Sequence, residues 1–567
     1  MLGLTYFGIL VLAAAVLAPR PWSGHVGGSG TECAPGVSTS LRIAATTDVH
    51  GHISGWDYYA NRPDSVRGLS RAATIIDSVR SANPGRVILV DAGDFLQGTP
   101  LAFVAAHTPK PASNPIIAAM NAMRYDAVVV GNHEFNYGVP YLDSARAAAR
   151  FPIIAANVRS KGATPKYASF VLVKRAGVTV GVVGATTPGS NLWDASNLSR
   201  AGLHVVDILP SVRSAVGEAR AAGADAIVVV LHSGLDEPSS YDTVSTAVAS
   251  ENVAARVASE IPGVNVLVYG HSHRENRGQM LAGTLLIQPK NWATSVAVVT
   301  LPLSCGANHH WIAAAATGSL IQSANHAENA AVIRAASRAH AATVAYVSSR
   351  IGTTPDSWTA ADARGGPTPI MNFILDVEKR AAHVDIASAS AFDLDAHLGP
   401  GPITVAQIAQ LYPYDNTLRA VRISGAQLRE YLEFSSRYYK SDAGGQPVID
   451  TTVAGYNFDM VSGVDYELDL TRPVGQRVTS LKFRGRPVAP TDSFTLALNN
   501  YRQTGGGGYA MLRGAPVVYD RQQEIRQLLI DEVRRRRVLH KSDFDARNWS
   551  MLEFTAKAAT QPRTRPK

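Results

Sequence analysis

At 567 residues the chain is long enough for two or three domains, each with a full core. A hydrophobic share of 46% against 17% charged residues excludes a disordered chain. The formal charge of +8 comes from scattered basic residues, a pattern that argues against a nucleic-acid polymer as partner and suits anionic small molecules.

The first 22 residues read as a secretory signal peptide. Positions 2–18 are apolar, too short for a membrane span, end in small residues and are followed by Pro19 and Pro21. A charged start is missing, so an uncleaved N-terminal anchor is the alternative; the expected destination is the periplasm or the exterior. No later segment is apolar for long enough to span a bilayer. Cys33 and Cys305 can form one disulfide in an exported chain or remain two thiols, and neither stands in a ligand motif.

From 40 to 318, apolar runs at 41–45, 86–90, 126–130, 226–231 and 264–269 alternate with helix-like segments at 69–81, 212–222 and 253–261. That alternation predicts an α/β domain with largely parallel strands. The Ala-rich stretch 303–318 ends the pattern, and 325–350 reads as one connecting helix. A second domain spans 352–550, with strands at 420–423, 464–468 and 494–498 and helices at 368–379, 405–411 and 425–438. The basic run Arg534, Arg535, Arg536 and Arg537 reads as a solvated helix face, and 557–567 as a polar, disordered tail.

Each of the five first-domain strands ends in metal-type ligands: Asp48 and His50, Asp94, Asn132, His232, and His271 with His273. Any one of them alone is better read as a hydrogen-bonded structural residue. Five such strand ends at one mouth of a sheet mark a metal site. Asp48 and His50 are two apart, so an extended backbone points both side chains the same way. A carboxylate at Asp94 can bridge two ions. With it shared, seven residues offer four contacts to each ion and leave positions open for water and substrate. Asp91 reads as a turn residue or as a support behind the ligands rather than as a ligand itself. His133 lies inside the run Gly131-Asn132-His133-Glu134 without being needed as a ligand.

The order DxH, GD, GNHE, H and GHSH, beginning with TTDVHGHI, resembles the calcineurin-like metallophosphoesterases and, over 40–550, their branch of secreted nucleotidases. The resemblance implies an α/β fold: an α/β/β/α sandwich, a connecting helix and a smaller mixed α/β substrate-binding domain. It implies two divalent metal ions, for which Zn, Mn, Co and Fe all suit the ligands. The first would take Asp48, His50, Asp94 and His273; the second Asp94, Asn132, His232 and His271. It also gives His133 the work of stabilising the transition state or protonating the leaving group. The 5′-nucleotidases of the family place a carboxylate three residues after that histidine. Here the residue is Asn136, which makes Asn136 a further catalytic candidate and a departure from the 5′-nucleotidase pattern.

Two second-domain segments, LYPYDNTL and NNYRQTGGGGY, set aromatic residues beside turn formers. Tyr412 and Tyr509 are expected in the core. Tyr414 and Tyr501 are expected, by the resemblance, to stack on a nucleotide base. Asn499, Asn500 and Arg502 are candidates to hold the ribose. The wording of both segments is similar to 2′,3′-cyclic-nucleotide 2′-phosphodiesterases that also act as 3′-nucleotidases. Ser388-Ala389-Ser390-Ala391-Phe392 replaces the Asn-Gly-Gly segment of 5′-nucleotidases, and Gly507 replaces an aspartate. The expectation is therefore an exported, monomeric hydrolase of small nucleotides, with a hinge near Gly352 and Thr353. A 5′-nucleotidase or UDP-sugar hydrolase on the same scaffold is the alternative, and a non-catalytic nucleotide-binding surface protein a more distant one.

Overall fold

Strands that are apolar along their whole length must be covered on both faces. In the computed structural model, which describes residues 33–108, 114–160, 162–414, 416–442 and 446–552, two sheets meet this need by facing each other. The signal-peptide and tail segments lie outside the described residues.

The first sheet runs Trp311–Ala313, Ser295–Cys305, Ser38–Thr46, Val87–Asp91, Ala127–Val129, Ile153–Ile154, with Thr317–Gln322 also pairing Ser295–Cys305. The second runs Asn276–Leu281, Thr284–Gln288, Val266–Tyr269, Ala226–His232, Val178–Thr186, Phe170–Arg175. Alternate side chains of one sheet, among them Ile43, Ala45 and Val90, pack with Val180, Val182 and Val228 of the other. On the outer face of the first sheet, Ala44, Leu89 and Val128 meet the helices Leu69–Ala82, Pro115–Met123 and Ala330–Ser348. On the outer face of the second, Val183, Ile227 and Leu267 meet Ile208–Ala221 and Ala254–Glu260. The layers are helix, sheet, sheet, helix, the α/β/β/α sandwich expected.

The inner strands are parallel, but the edges are not. Ser38–Thr46 pairs antiparallel with Ser295–Cys305, and Phe170–Arg175 pairs antiparallel with Val178–Thr186. The stretch 303–318 also departs from expectation. It carries strands, because Leu303, Trp311 and Ala316 have apolar side chains to bury between the sheets. Cys33 and Cys305 are joined as a disulfide, which resolves that alternative. The connecting helix begins at Ala330 because the Asn329 side chain accepts from the N–H groups of Ala331 and Val332. It buries Val332, Ala336 and Val347 against the first domain.

The second domain is built on a five-stranded sheet ordered Asp459–Ser462, Ile386–Ser390, Ser493–Asn499, Thr417–Ser424, Val517–Glu524. A four-stranded sheet including Asp465–Asp469 and Trp549–Leu552 packs nearby, and the helices Pro369–Ala382 and Gly425–Ser436 complete one continuous core. Thr404 with Gln407, and Ser424 with Gln427, form capping boxes that start two of its helices. Gly352 and Thr353, expected at a hinge, lie inside the strand Arg350–Thr354; Thr353 N–H donates to Arg537 O at 2.8 Å. Among the described residues no helix is long and apolar enough to cross a membrane.

Candidate metal centre

All seven strand-end ligands converge. Asp48, His50, Asp94 and Asn132 follow strands of the first sheet; His232, His271 and His273 end or follow strands of the second. The centre therefore sits on the lip where the two sheets meet, at the carboxyl ends of their parallel strands. Asp48, His50 and His273 present donor atoms within 4.8 Å of one another, as do Asp94, His232 and His271. The carboxylate of Asp94 stands between the groups: its Oδ2 is 3.0 Å from His232 Nε2, 3.8 Å from His50 Nε2 and 3.9 Å from His133 Nε2. Asn132 Oδ1 is 3.0 Å from His232 Nε2.

The backbone is bent to achieve this. Asp48, His50, Asp94, His271 and His273 all have left-handed φ, between 47° and 72°, a conformation that costs a non-glycine residue about 1–3 kcal/mol and gathers at functional sites. The glycines before the ligands have a steric reason. A Cβ on Gly131 would overlap Asp94 Oδ1, and one on Gly270 would overlap Thr47 Oγ1. Glu134 ties the loops together, its carboxylate accepting N–H bonds from Asp94, Phe95, Leu96 and Gly131.

The donor set fits divalent cations. His50 engages Gln97 O and His232 engages Ala92 O through Nδ1, so in each it is Nε2 that faces the centre. His271 is held the other way: Nε2 meets Glu251 Oε1 at 2.7 Å, leaving Nδ1 for a ligand. His50 and His273 bring their Nε2 atoms to 3.1 Å, two ring nitrogens converging beside buried carboxylates. Burial pushes His50 down to about 3, which keeps it in the neutral, metal-binding form. Burial pushes Asp48 up, but the charge and hydrogen bond of His273 outweigh it and bring the carboxyl down to about 2. Asp91 ends the strand Val87–Asp91 rather than standing in a turn, and its carboxylate accepts from Thr46 Oγ1 and Gly93 N–H behind the ligand loop.

His133 faces the same centre through Nε2, while its Nδ1 lies 2.7 Å from Asn136 Oδ1. Asn136 in turn donates through Nδ2 to both carboxylate oxygens of Asp194 at 3.0 Å. A carboxylate does stand behind this histidine, one residue further out than in the 5′-nucleotidase pattern. Burial pushes Asp194 up to about 6 against the pull of the Asn136 bond, and the Asn136 amide lies 3.0 Å from both of its oxygens, the geometry of a carboxylate that accepts.

In the second domain, Tyr412 and Tyr509 are buried as expected, whereas Tyr414 and Tyr501 are each 39% exposed. Tyr456, also exposed, and Tyr501 lie within electrostatic reach of the Tyr414 phenol, and Phe392 packs edge-on against Tyr414 at 5.0 Å. Pro413 O, one residue before Tyr414, accepts from Tyr59 Oη at 2.9 Å, and the same hydroxyl lies 2.9 Å from the carbonyl of Gly98, the glycine packed against His50, so the Tyr414 segment stands beside the loops of the metal centre. The three ribose candidates face the framework instead. Asn499 caps its helix by accepting from Arg502 N–H, and Asn500 Oδ1 accepts from Thr417 N–H. Arg502 is 2% exposed and spends its guanidinium on Asp459, Asn457, Gly506 O and Tyr456 O. Its charge is consumed by the buried Asp459, which also receives Ser390 and Tyr431. Asp194, Glu251, Tyr456 and Asp459 escaped sequence reasoning because no local motif marks them.

Fold and site together define a metallophosphoesterase, a metal-dependent hydrolase of phosphoric esters. Residues 41–275 match the calcineurin-like phosphoesterase family, and residues 350–514 match the 5′-nucleotidase C-terminal domain. The chain is 32% identical over 570 residues to the 2′,3′-cyclic-nucleotide 2′-phosphodiesterase/3′-nucleotidase of Haemophilus influenzae, covering 87% of this chain and 84% of that protein. It is 29% identical over 577 residues to the trifunctional nucleotide phosphoesterase YfkN of Bacillus subtilis, covering 90% of this chain but 39% of that protein. A Staphylococcus aureus structure assigned as a 5′-nucleotidase superposes with a TM-score of 0.76 at 26% identity, covering 90% of this chain and 100% of that one. The chain belongs to the calcineurin-like phosphoesterases that carry a 5′-nucleotidase C-terminal domain.

Proposed function

We propose that the protein is an exported, dimetal hydrolase of nucleotide phosphate esters, a 2′,3′-cyclic-nucleotide 2′-phosphodiesterase that also acts as a 3′-nucleotidase. The observation that carries the reading is the Asp94-centred cluster with the half-exposed Tyr414, whose segment is hydrogen-bonded through Tyr59 to the loop beside His50, and with the half-exposed Tyr501. Asp48, His50, Asp94 and His273 would hold one ion, and Asp94, Asn132, His232 and His271 the other. Such ions supply charge for the developing phosphate oxygens and lower the pKa of an attacking water.

The chain's own residues do the rest. Tyr414 and Tyr501 grip the base, worth roughly 1–3 kcal/mol and tolerant of base identity. His133 offers the Nε2 proton to the departing oxygen. In a cyclic substrate the bond from phosphorus to O2′ breaks, water oxygen joins phosphorus, and the proton goes to O2′. The 3′-phosphate product keeps the same base grip, so one pocket serves both steps. Two observations favour this over a 5′-nucleotidase. Ser390 is buried against Asp459, and a side chain at Gly507, which has φ +74°, would overlap Arg502 and Asn457. Export is supported by the apolar N-terminus and the Cys33–Cys305 disulfide.

Purified protein assayed with 2′,3′-cyclic AMP, 3′-AMP, 5′-AMP and a UDP-sugar, before and after chelation, tests the reading. The cyclic and 3′ substrates should be preferred and chelator should abolish turnover. A wide preference for 5′-AMP would overturn it.

A further inference from the structure

The turn Ser190–Trp193 and the residue after it address both sides of the metal centre. Trp193 stacks on the His271 ring with centroids 5.7 Å apart, and Asp194 meets Asn136. Asp194 is the N-cap residue of the helix Ala195–Ala201, where an aspartate ordinarily accepts an N–H of its own helix. Here its side chain makes no such cap bond and is turned to the Asn136 amide instead. Asn197, one turn along the same helix, donates to the carbonyls of Phe135 and Asn136 and so pins the backbone that carries the amide. The carboxylate is 3% exposed, a costly placement that a plain cap would avoid.

The consequence for His133 follows from donor and acceptor roles. An ionised carboxylate only accepts, so the Asn136 NH₂ must face Asp194 and its oxygen must face His133. That oxygen only accepts as well, so His133 Nδ1 must carry a proton. We propose that Asp194 is a positioning residue: through the Asn136 amide it keeps a proton on His133 Nδ1 and Nε2 aimed at the metal centre, so that the proton given to the leaving oxygen is a second one, carried on Nε2 by the imidazolium. The proposal rests on the phosphoester-hydrolase reading above.

The test compares substrates that differ in their need for leaving-group protonation. In the metal-loaded enzyme D194N should lower kcat for 3′-AMP, whose ribose oxygen needs a proton, by about tenfold or more. Its KM, its metal content and its turnover of p-nitrophenyl phosphate should be unchanged, because nitrophenolate leaves without a proton. In the single variant N136D two carboxylates would face each other, and turnover of 3′-AMP should fall. The double variant N136D/D194N exchanges carboxylate and amide and should restore it. Nitrogen-15 histidine spectra of the metal-free protein, with H133A to assign the signal, should show Nδ1–H for His133 and a tautomer mixture in D194N. Equal loss on both substrates, an unchanged tautomer in D194N, or loss of metal from D194N would each overturn the proposal. If the unaltered enzyme cleaves p-nitrophenyl phosphate but no nucleotide, the nucleotide reading fails and the tautomer spectra still decide the role of Asp194.

Discussion

Glu251 grips His271: its Oε1 lies 2.7 Å from the ring Nε2, and the twenty-residue separation takes in the helix Ala254–Glu260 and the strand Val266–Tyr269. Burial pushes the Glu251 carboxyl up, but the bonds from His271 and Ser240 N–H outweigh it and hold it below the usual range. The contact fixes the ring so that Nδ1 is the nitrogen left for a metal. Replacing Glu251 with Gln should weaken metal affinity by about 10–100-fold, the usual cost of losing such a support. Competition with a zinc-binding dye would measure it, and unchanged affinity would refute the role.

His133 Nε2 lies 3.9 Å from Asp94 Oδ2 and its Nδ1 is tied to Asn136, and its donor atom also falls within reach of those of His50 and Asp94, so metal content separates a proton carrier from a ligand. H133A should lower kcat on 3′-AMP by about 10²–10⁴-fold while bound metal, measured by elemental analysis, stays constant. Loss of metal would make His133 a ligand.

Arg502 and Asp459 form a buried ion pair beneath the glycine run, with Arg502 2% and Asp459 4% exposed. Removing one partner strands the other charge, at a cost of about 3–5 kcal/mol. R502M and D459N should each show that loss in urea denaturation. A raised KM with full stability in R502M would return Arg502 to the substrate site.

The basic run near the end of the second domain is largely paired. Glu532 accepts from Arg380, Arg535 and Arg536. Burial pushes Glu532 up, but these bonds outweigh it and bring its carboxyl down from 4.5 to about 2. A depressed acid stabilises the fold above its unfolded pKa and loses that contribution as pH falls through the folded one. Stability should therefore decline between about pH 4.5 and pH 2, and E532Q should flatten that part of the curve. An unchanged acid limb in E532Q would show that the arginines contribute nothing there.

The two-part organisation and the metal-ligand candidates could be proposed from sequence because both are local patterns. An apolar run followed by a glycine and a ligand states strand, turn and donor within six or seven residues, as in Gly131-Asn132 and Gly270-His271. The aromatic positions were not separated by local pattern: all four tyrosines flank turn formers, and the structure buries Tyr412 and Tyr509 while leaving Tyr414 and Tyr501 half exposed. Arg502, Asn499 and Asn500 misled, because a polar residue beside a glycine run reads alike whether it faces solvent or holds the frame.

Composition and short-range spacing thus settled which residues meet at the mouth of the sheets. Folding settled what stands behind them. Asp194 lies 58 residues beyond Asn136 and Glu251 lies 20 before His271, distances over which no residue pattern carries information. Asn136 read in isolation is a histidine partner without charge. Brought against Asp194 by the packing of one short helix, it becomes the link between that histidine and a buried carboxylate.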